Sequence, residues 1–396
     1  TVSAGAKDFT DDSEITYKEA VDVISALGVV DGYSDGDFRP DDVLTRGAAA
    51  KIICNLILGP TTASALNAGT APFKDVPVTN TFAGYITYCS QQGIISGYAD
   101  GTFRPTGTLS GNAFMKMLLG ALGYDSSIEG YTGSNWQVNV TKQAIGIGLD
   151  DGNDDFVGSK AVTRQEAALY ACNMLQATMV EYDQKSTIVV GDVQVNTSST
   201  RSDVANATRT DGNIDNDNKM QFAEKYFTDL NRVDGSDDFG RPSNVWEYKN
   251  DEIGTYANTD DLVETYTAKV TSADVYDAVG KSVYDSLKDG KSDLTTYVDG
   301  VKTAVAKGSV DSYVEKNDTN TVNGSGNGML TEVYLDDDNN VTIVSINTYV
   351  FQAVADYSSS KDSVSLTTAG DTDITLDNNT LDGDDFDIKN IKADDY

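Results

Sequence analysis

The phrase GYSDGDFRP at residues 32–40 returns as GYADGTFRP at residues 97–105, in a chain with only six prolines. A period this specific constrains the fold more tightly than composition does, because each repeat must be one structural unit that stacks on its neighbours. The first copy, EAVDVISALGVVDGYSDGDFRPDDVLTRGAAAKIICNLILG, aligns with the second, GYITYCSQQGIISGYADGTFRPTGTLSGNAFMKMLLGALG, at a constant offset of 65. A third, AIGIGLDDGNDDFVGSKAVTRQEAALYACNMLQ, aligns with the first at an offset of 118 and lacks the Tyr and the Arg-Pro.

Each copy has one plan. An apolar-periodic helix ends at Gly28, Gly93 or Gly148, an Asp- and Gly-rich loop follows, and a second helix begins. In that second helix Ala49, Ile52, Ile53, Leu56 and Ile57 have the spacing of one buried face. The offsets carry this face to Phe114, Met117, Leu118, Ala121 and Leu122, and to Ala167, Tyr170, Ala171, Met174 and Leu175. Three helices buried alike predict a pseudo-threefold bundle. Within the loops, Asp-Gly supplies turn chemistry, Phe38 and Phe103 plug the core, and Pro40 and Pro105 stiffen the approach to the next helix.

Thr45 and Thr163 stand where N-caps belong, and Thr163 with Glu166 has the spacing of a capping box. Arg46 and Arg164 come next, and a cation in the first turn opposes the helix dipole by about 0.3–1 kcal/mol. Two readings answer this: an anion bound by the arginine and the free helix amides, or an ion pair with a loop aspartate.

The order F-x-D, helix, G-[IV]-[IV]-x-G-Y-x-D-G-x-F-R-P, [IL]-T-R, helix resembles the S-layer homology repeat. Phe9 to Asp11 and Phe73 to Asp75 supply its F-x-D start. The resemblance covers three tandem copies at about 8–60, 73–125 and 130–180, inside a first domain of residues 1–182. It implies an all-α, three-pronged pseudo-trimer that holds a secreted protein on a Gram-positive cell wall. The implied ligand is an acidic, pyruvylated secondary cell-wall polysaccharide. Carried over residue by residue, Thr45 with Arg46 and Thr163 with Arg164 are the ligand candidates, with Asp11, Asp75, Gly32 and Gly97 as loop contributors. The aromatic at the start of the first helix corresponds to Phe82 in copy two and Trp136 in copy three, whereas copy one offers Ile15 or Tyr17. Copy two carries Ser110-Gly111 in place of Thr-Arg, so one to two working grooves are expected.

Residues 183–396 turn to β-branched runs, polar turns and one mixed segment, which reads as a β-rich region, β or α+β, divisible near 270/271. SNVWEYKNDEIGTYAN alternates around Val245, Trp246 and Tyr248 as a strand, and Ser272 is a candidate helix cap. Leu330–Leu335 and Val341–Phe351 read as a hairpin around DDDNN. Asp211, Asn213, Asp215 and Asp217 are spaced like the start of a calcium loop, but Phe222 stands where its last acid belongs. A solvated acidic loop and a calcium site both fit, and no other cofactor is expected.

The chain has 29 basic and 62 acidic residues, a net charge of −33, which repels nucleic acid and anionic membranes. No apolar run approaches the roughly 18 residues of a membrane span. The polar start TVSAGAKDF fits a mature secreted N-terminus. With no histidine, Ser-His-Asp and Cys-His nucleophiles and histidine zinc sites are excluded. Cys54, Cys89 and Cys172 read as buried thiols. The sequence thus points to a non-catalytic wall anchor at the cell surface, with self-association into a lattice or filament. The alternative is a wall-anchored enzyme that attacks polysaccharide through a carboxylate pair.

Overall fold

Three helices begin on hydroxyl caps, two of them at the predicted Thr45 and Thr163 and the third at Ser110. Thr45 Oγ1 accepts from Ala48 N at 3.2 Å, and Ser110 Oγ accepts from Ala113 N at 3.3 Å. Thr163 closes a capping box with Glu166, whose carboxylate accepts from Thr163 N at 2.7 Å. The computed structural model describes residues 7–183, 187–190, 193–196, 199–206, 213–317, 319–368, 380–383 and 388–396. The contacts of the chain divide into one unit of residues 1–235 with 243–256, and another of residues 236–242 with 257–396.

The first unit opens with α1 (Lys18–Ala26), α2 (Arg46–Leu58), α3 (Pro60–Ser64), α4 (Ala83–Gln91), α5 (Gly111–Ala121), α6 (Trp136–Gly146) and α7 (Arg164–Gln176). Gly28, Gly93 and Gly148 stop α1, α4 and α6 with φ of 69°, 71° and 71°, a left-handed conformation that side chains resist. The predicted apolar faces of α2, α5 and α7 are buried apart from half-buried Ile57.

What joins the copies is backbone. Leu44 N donates to Val162 O at 2.8 Å, Val162 N to Leu109 O at 2.9 Å, and Leu109 N to Leu44 O at 3.0 Å. These residues are equivalent at offsets of 65 and 118, so their bonds close a ring. The helix starts bond around the same three copies in the opposite direction. Arg46 N and Gly47 N donate to Gly107 O and Pro105 O, Gly111 N and Asn112 N to Lys160 O and Gly158 O, and Arg164 N and Gln165 N to Asp42 O and Pro40 O.

The F-x-D segments close the loops. Asp11 accepts from Phe38 N and Arg39 N, both at 2.7 Å, and Asp75 accepts from Phe103 N at 2.8 Å and Arg104 N at 2.7 Å. These bonds hold Arg39 and Arg104 at φ of 55° and 60°, a region that costs a non-glycine residue roughly 1–2 kcal/mol. Phe9 packs on Phe38 at a centroid distance of 5.2 Å, and Phe73 on Phe103 at 5.3 Å. Gly32 and Gly97 leave room for the Phe9 and Phe73 rings, which a Cβ would meet at 2.7 and 2.4 Å.

After α7 come β1 (Val180–Tyr182), β2 (Thr187–Val190), β3 (Val193–Asn196), β4 (Arg201–Asp203) and α8 (Phe222–Tyr226), with β1 paired to β4 and β2 to β3. Strands β5 (Leu230–Ser236), β6 (Pro242–Tyr248) and β7 (Asp251–Ala257) form a three-stranded sheet. Its β6–β7 turn uses Lys249 and Asn250 at φ of 57° and 69°, the signs of a type I′ hairpin. The alternation around Trp246 predicts this strand, and the sheet packs it on α1. Trp246 is fully buried, and its Nε1 donates to Glu19 at 2.7 Å while Asn244 reaches the same oxygen at 3.0 Å. Tyr256 OH donates to Asp22 at 2.6 Å, and Lys18 pairs with the other Asp22 oxygen at 2.8 Å. Burial raises the Asp22 pKa despite those two partners.

The second unit is α+β. It contains β8 (Leu262–Tyr266), α9 (Ser272–Asp289), β9 (Leu294–Val298), β10 (Val301–Ala304), β11 (Met329–Leu335) and β12 (Val341–Asn347). The sheet order is β10-β9-β12-β11-β8. Val275, Val279, Val283 and Leu287 of α9 are buried at four-residue spacing in one core with Val333, Val341 and Ile343. The cap of α9 is Thr271, boxed with Asp274, so the expected cap Ser272 is the first helical residue. The hairpin around DDDNN forms as β11 with β12, but Phe351 belongs to the following strand. That strand, β13 (Phe351–Ala353), joins β14 (Ser363–Thr368) and β15 (Thr380–Asp382) in a separate sheet.

Two predictions follow from these contacts. Replacing Trp246 with Ala should destabilise the first unit by about 3–5 kcal/mol in denaturant unfolding, and a loss within about 1 kcal/mol would mean the sheet is not fixed to α1. For Asp11 and Asp75, burial raises the pKa, but the two amides each receives outweigh it and hold both below 3.8. Their stabilisation is therefore complete above the unfolded value and is lost as pH falls through the depressed folded values. Thermal unfolding should show a Tm that drops below about pH 4. The Asp11→Asn, Asp75→Asn variant should start lower and fall less steeply, and an unchanged slope would assign the acid transition to other carboxylates.

Candidate functional site

The two arginines at helix starts reach into the loop of a different copy. Arg46 Nε donates to Phe103 O at 2.8 Å and its Nη2 to Ser96 O at 3.2 Å. Arg164 repeats this geometry, with Nε to Phe38 O at 2.8 Å and Nη2 to Asp31 O at 2.9 Å. Each guanidinium also lies over two rings, Arg46 at 4.4 Å from Phe103 and 5.0 Å from Tyr98, and Arg164 at 4.8 Å from both Phe38 and Tyr33. The loop arginines approach the same tyrosines, Arg39 over Tyr33 at 4.0 Å and Arg104 over Tyr98 at 4.1 Å.

The helix amides that an anion would need are taken by carbonyls of the next copy and by the caps. Among the described residues no carboxylate forms a direct ion pair with Arg46 or Arg164, and the loop aspartates act only at longer range, Asp75 on Arg46 and Asp42 and Asp11 on Arg164. Both are half-buried. Burial lowers the pKa of each guanidinium, which still leaves an arginine charged. Arg39 and Arg104, by contrast, pair with Asp35 and Asp100.

Arg46 borders a groove of about 560 Å³, whose lining includes Gly97, Tyr98, Lys116, Tyr131 and Trp136. Lys116 lies on α5, its Nζ 2.7 Å from Tyr131 O and 5.5 Å from the Trp136 ring centre. Burial pulls the Lys116 pKa below its usual value, and among the described residues no carboxylate pairs with it. Tyr131 is buried, and its hydroxyl has no hydrogen-bond partner among the described residues. Among the described residues the groove thus combines two cations that form no direct ion pair, a half-buried indole and a hydroxyl without a hydrogen-bond partner. That is chemistry suited to a polar, anionic ligand with a flat face.

Of the expected site residues, Arg46, Gly97 and Trp136 border this groove. Arg164 and Gly32 occupy the equivalent junction with the first loop. Thr45 and Thr163 act as caps, and Asp11 and Asp75 direct both oxygens at loop amides. At the third junction Gly111 has no side chain to offer, and a Cβ there would meet the Phe156 ring at 2.9 Å. Phe82 covers Gly47, where a Cβ would meet its ring at 2.5 Å. Lys116, Tyr131 and the stacking role of Tyr33 and Tyr98 escaped the sequence reading. One signal was available for Lys116, which sits 65 residues after Lys51 in the repeat register.

For the calcium spacing, Asp211 lies outside the described residues. Asn213 donates to Thr228 O, Asp217 accepts from Lys219 N and Gln221 Nε2, and Asp215 is exposed. Among the described residues no three His, Cys, Asp or Glu side chains gather as a metal site. No described helix is long and apolar enough to cross a membrane.

The sequence profile of the S-layer homology domain matches residues 8–50 and 72–111, the two copies with the full phrase. A surface layer protein of Brevibacillus choshinensis is 29% identical over 140 residues, 35% of this chain and 12% of that protein. A cell surface protein of Thermoanaerobacter kivui is 25% identical over 338 residues, 81% of this chain and 42% of that protein. A cellulosome-anchoring protein of Acetivibrio thermocellus is 39% identical over 74 residues, 19% of this chain and 16% of that protein. The chain therefore matches less than half the length of each of these relatives. The profile falls on the same loops that Asp11 and Asp75 close and that Arg164 and Arg46 clasp, so two stretches of the chain, residues 8–50 and 72–111, match the S-layer homology domain found in these cell-surface proteins.

Proposed function

We propose that the three helical copies form a three-pronged pseudo-trimer that anchors the chain non-covalently to the cell wall by binding an acidic secondary cell-wall polysaccharide. The closed ring through Leu44, Val162 and Leu109 supports the pseudo-threefold arrangement. The observation that carries the binding reading is the pair of cations Arg46 and Lys116, bordering one groove with no ion pair among the described residues in a chain of net charge −33. An uncompensated buried cation is unfavourable, and an anionic ligand relieves it by a charge-assisted hydrogen bond. Trp136 offers a flat face for a sugar ring. A pyruvyl ketal supplies a carboxylate on that ring, so one residue of a pyruvylated polymer would meet both features. Arg164 is the second binding position in this reading, and the junction at Gly111 is not used.

The relatives are named for surface layers, the cell surface and anchoring rather than for catalysis, which favours a structural protein over a wall-anchored enzyme. The second unit would then mediate self-association into a lattice, since heterologous contacts between copies generate open arrays without catalytic residues. Electron microscopy of the full chain on wall fragments should show an ordered array, and dispersed single particles at saturating coverage would remove the lattice reading.

Lys116→Met keeps volume and removes the charge. It should weaken binding to purified wall polysaccharide by about 1.5–3 kcal/mol, roughly 10- to 150-fold, with helicity unchanged. Arg46→Ala with Arg164→Ala should abolish capture, and polysaccharide stripped of its pyruvyl groups should bind wild type as weakly as intact polymer binds that double variant. Wild-type affinity in Lys116→Met and in the double arginine variant would refute the groove assignment.

A further inference from the structure

We propose that Cys54 and Cys89 are a disulfide-forming pair that cross-links α2 of the first copy to α4 of the second. Their sulfurs lie 3.5 Å apart, and both residues are completely buried. The contact is reciprocal. Cys54 Sγ faces Tyr85 O and Cys89 Sγ faces Ala50 O, each at 3.6 Å, so each thiol meets the carbonyl four residues before its partner cysteine. Such symmetry places the two cysteines at the crossing point of the two helices. A disulfide needs about 2.05 Å between sulfurs, so the remaining gap is about 1.5 Å, within reach of side-chain rotation and a small helix adjustment. Cys172 is also buried, but among the described residues no sulfur lies within hydrogen-bonding distance of it.

The proposal rests on the cell-surface reading for its setting, because structural disulfides persist outside the reducing cytosol. The reaction is thiol–disulfide exchange with a small-molecule disulfide, RSSR. The thiolate of one cysteine attacks RSSR, forms a mixed disulfide and releases one thiolate. The second cysteine then attacks the protein sulfur of that mixed disulfide and releases the other. In sum, the two thiols and RSSR give the Cys54–Cys89 bond and two RSH, with both cysteine protons and two electrons passing to the leaving thiols. The hydrogen bond with Cys54 and burial hold the Cys89 thiol far above its usual pKa, so the closed fold resists both oxidation and reduction. Exchange therefore belongs to the folding chain, before α2 and α4 close. The bond spans 35 positions and restricts the unfolded chain accordingly.

The test uses the full chain carrying Cys172→Ala, unfolded in guanidinium with reductant and refolded either with oxidised glutathione or with reductant. Alkylation in denaturant, followed by peptide mapping, reads the bond. The expected result is a Cys54–Cys89 peptide after oxidative refolding, with a Tm about 4–15 °C above that of the reduced sample. Adding oxidised glutathione to already folded protein should form the bond no faster than the protein unfolds. A Cys54→Val, Cys89→Ala variant should show no Tm difference between the two refolding conditions. Alkylation of both cysteines after oxidative refolding, stable glutathione adducts, or a cross-linked species with a lower Tm would each overturn the proposal. None of these readouts depends on the wall ligand, so the pair can fail while the anchoring reading stands.

Discussion

The starts of α2, α5 and α7 have no amides to spare, and the arrangement of the three copies depends on that fact. A helix leaves its first N–H groups without internal partners, and buried orphans are unfavourable. Here the first two amides of each helix donate to carbonyls at or just after the Arg-Pro position of another copy, always in one cyclic order. The Arg-Pro of the repeated phrase is thereby explained. Asp11 or Asp75 holds the arginine in a left-handed conformation, and the proline carbonyl that follows becomes the acceptor for the neighbouring helix. Each copy completes its neighbour, so none is satisfied alone.

That constraint also changes what Arg46 and Arg164 mean. A cation in the first turn opposes the dipole, and on sequence alone it asks for an anion or an aspartate. The structure supplies two carbonyls and two aromatic faces for each guanidinium. Carbonyl acceptors satisfy N–H groups but leave the positive charge uncancelled, whereas Arg39 and Arg104 are cancelled by aspartates four residues earlier. The fixed scaffold and the residual charge therefore coexist in one side chain.

Much of the helical part is legible from periodicity. The offsets of 65 and 118 identify the buried faces, the caps and the three left-handed glycines, because repetition averages out local ambiguity. The groove is less legible. Lys116 and Tyr131 come together only when α5 packs beside the loop that leads into α6, and no local pattern encodes that approach. The attachment of β6 to α1 is hidden for the same reason. Glu19 and Asp22 read as ordinary helix-surface acids until Trp246 and Tyr256, more than two hundred residues later, provide their donors. Thr271 and Ser272 are equally good caps by residue type, and only the distance to Asp274 decides between them.

The acidity of the chain limits how the proposed anionic ligand can be held. A net charge of −33 gives the chain a field that repels anions, screened beyond roughly 8–10 Å at physiological salt. Long-range steering of an acidic polymer is therefore unfavourable, and attraction must come from contacts inside that distance. Arg46 and Lys116 meet this requirement because burial, which depresses both pKa values, also reduces the solvent screening of their charges. The indole of Trp136 adds an attraction that salt does not screen. Discrimination then falls to geometry, since only a ligand that presents its carboxylate to the cations and its ring to the indole at once gains enough to overcome the repulsive field.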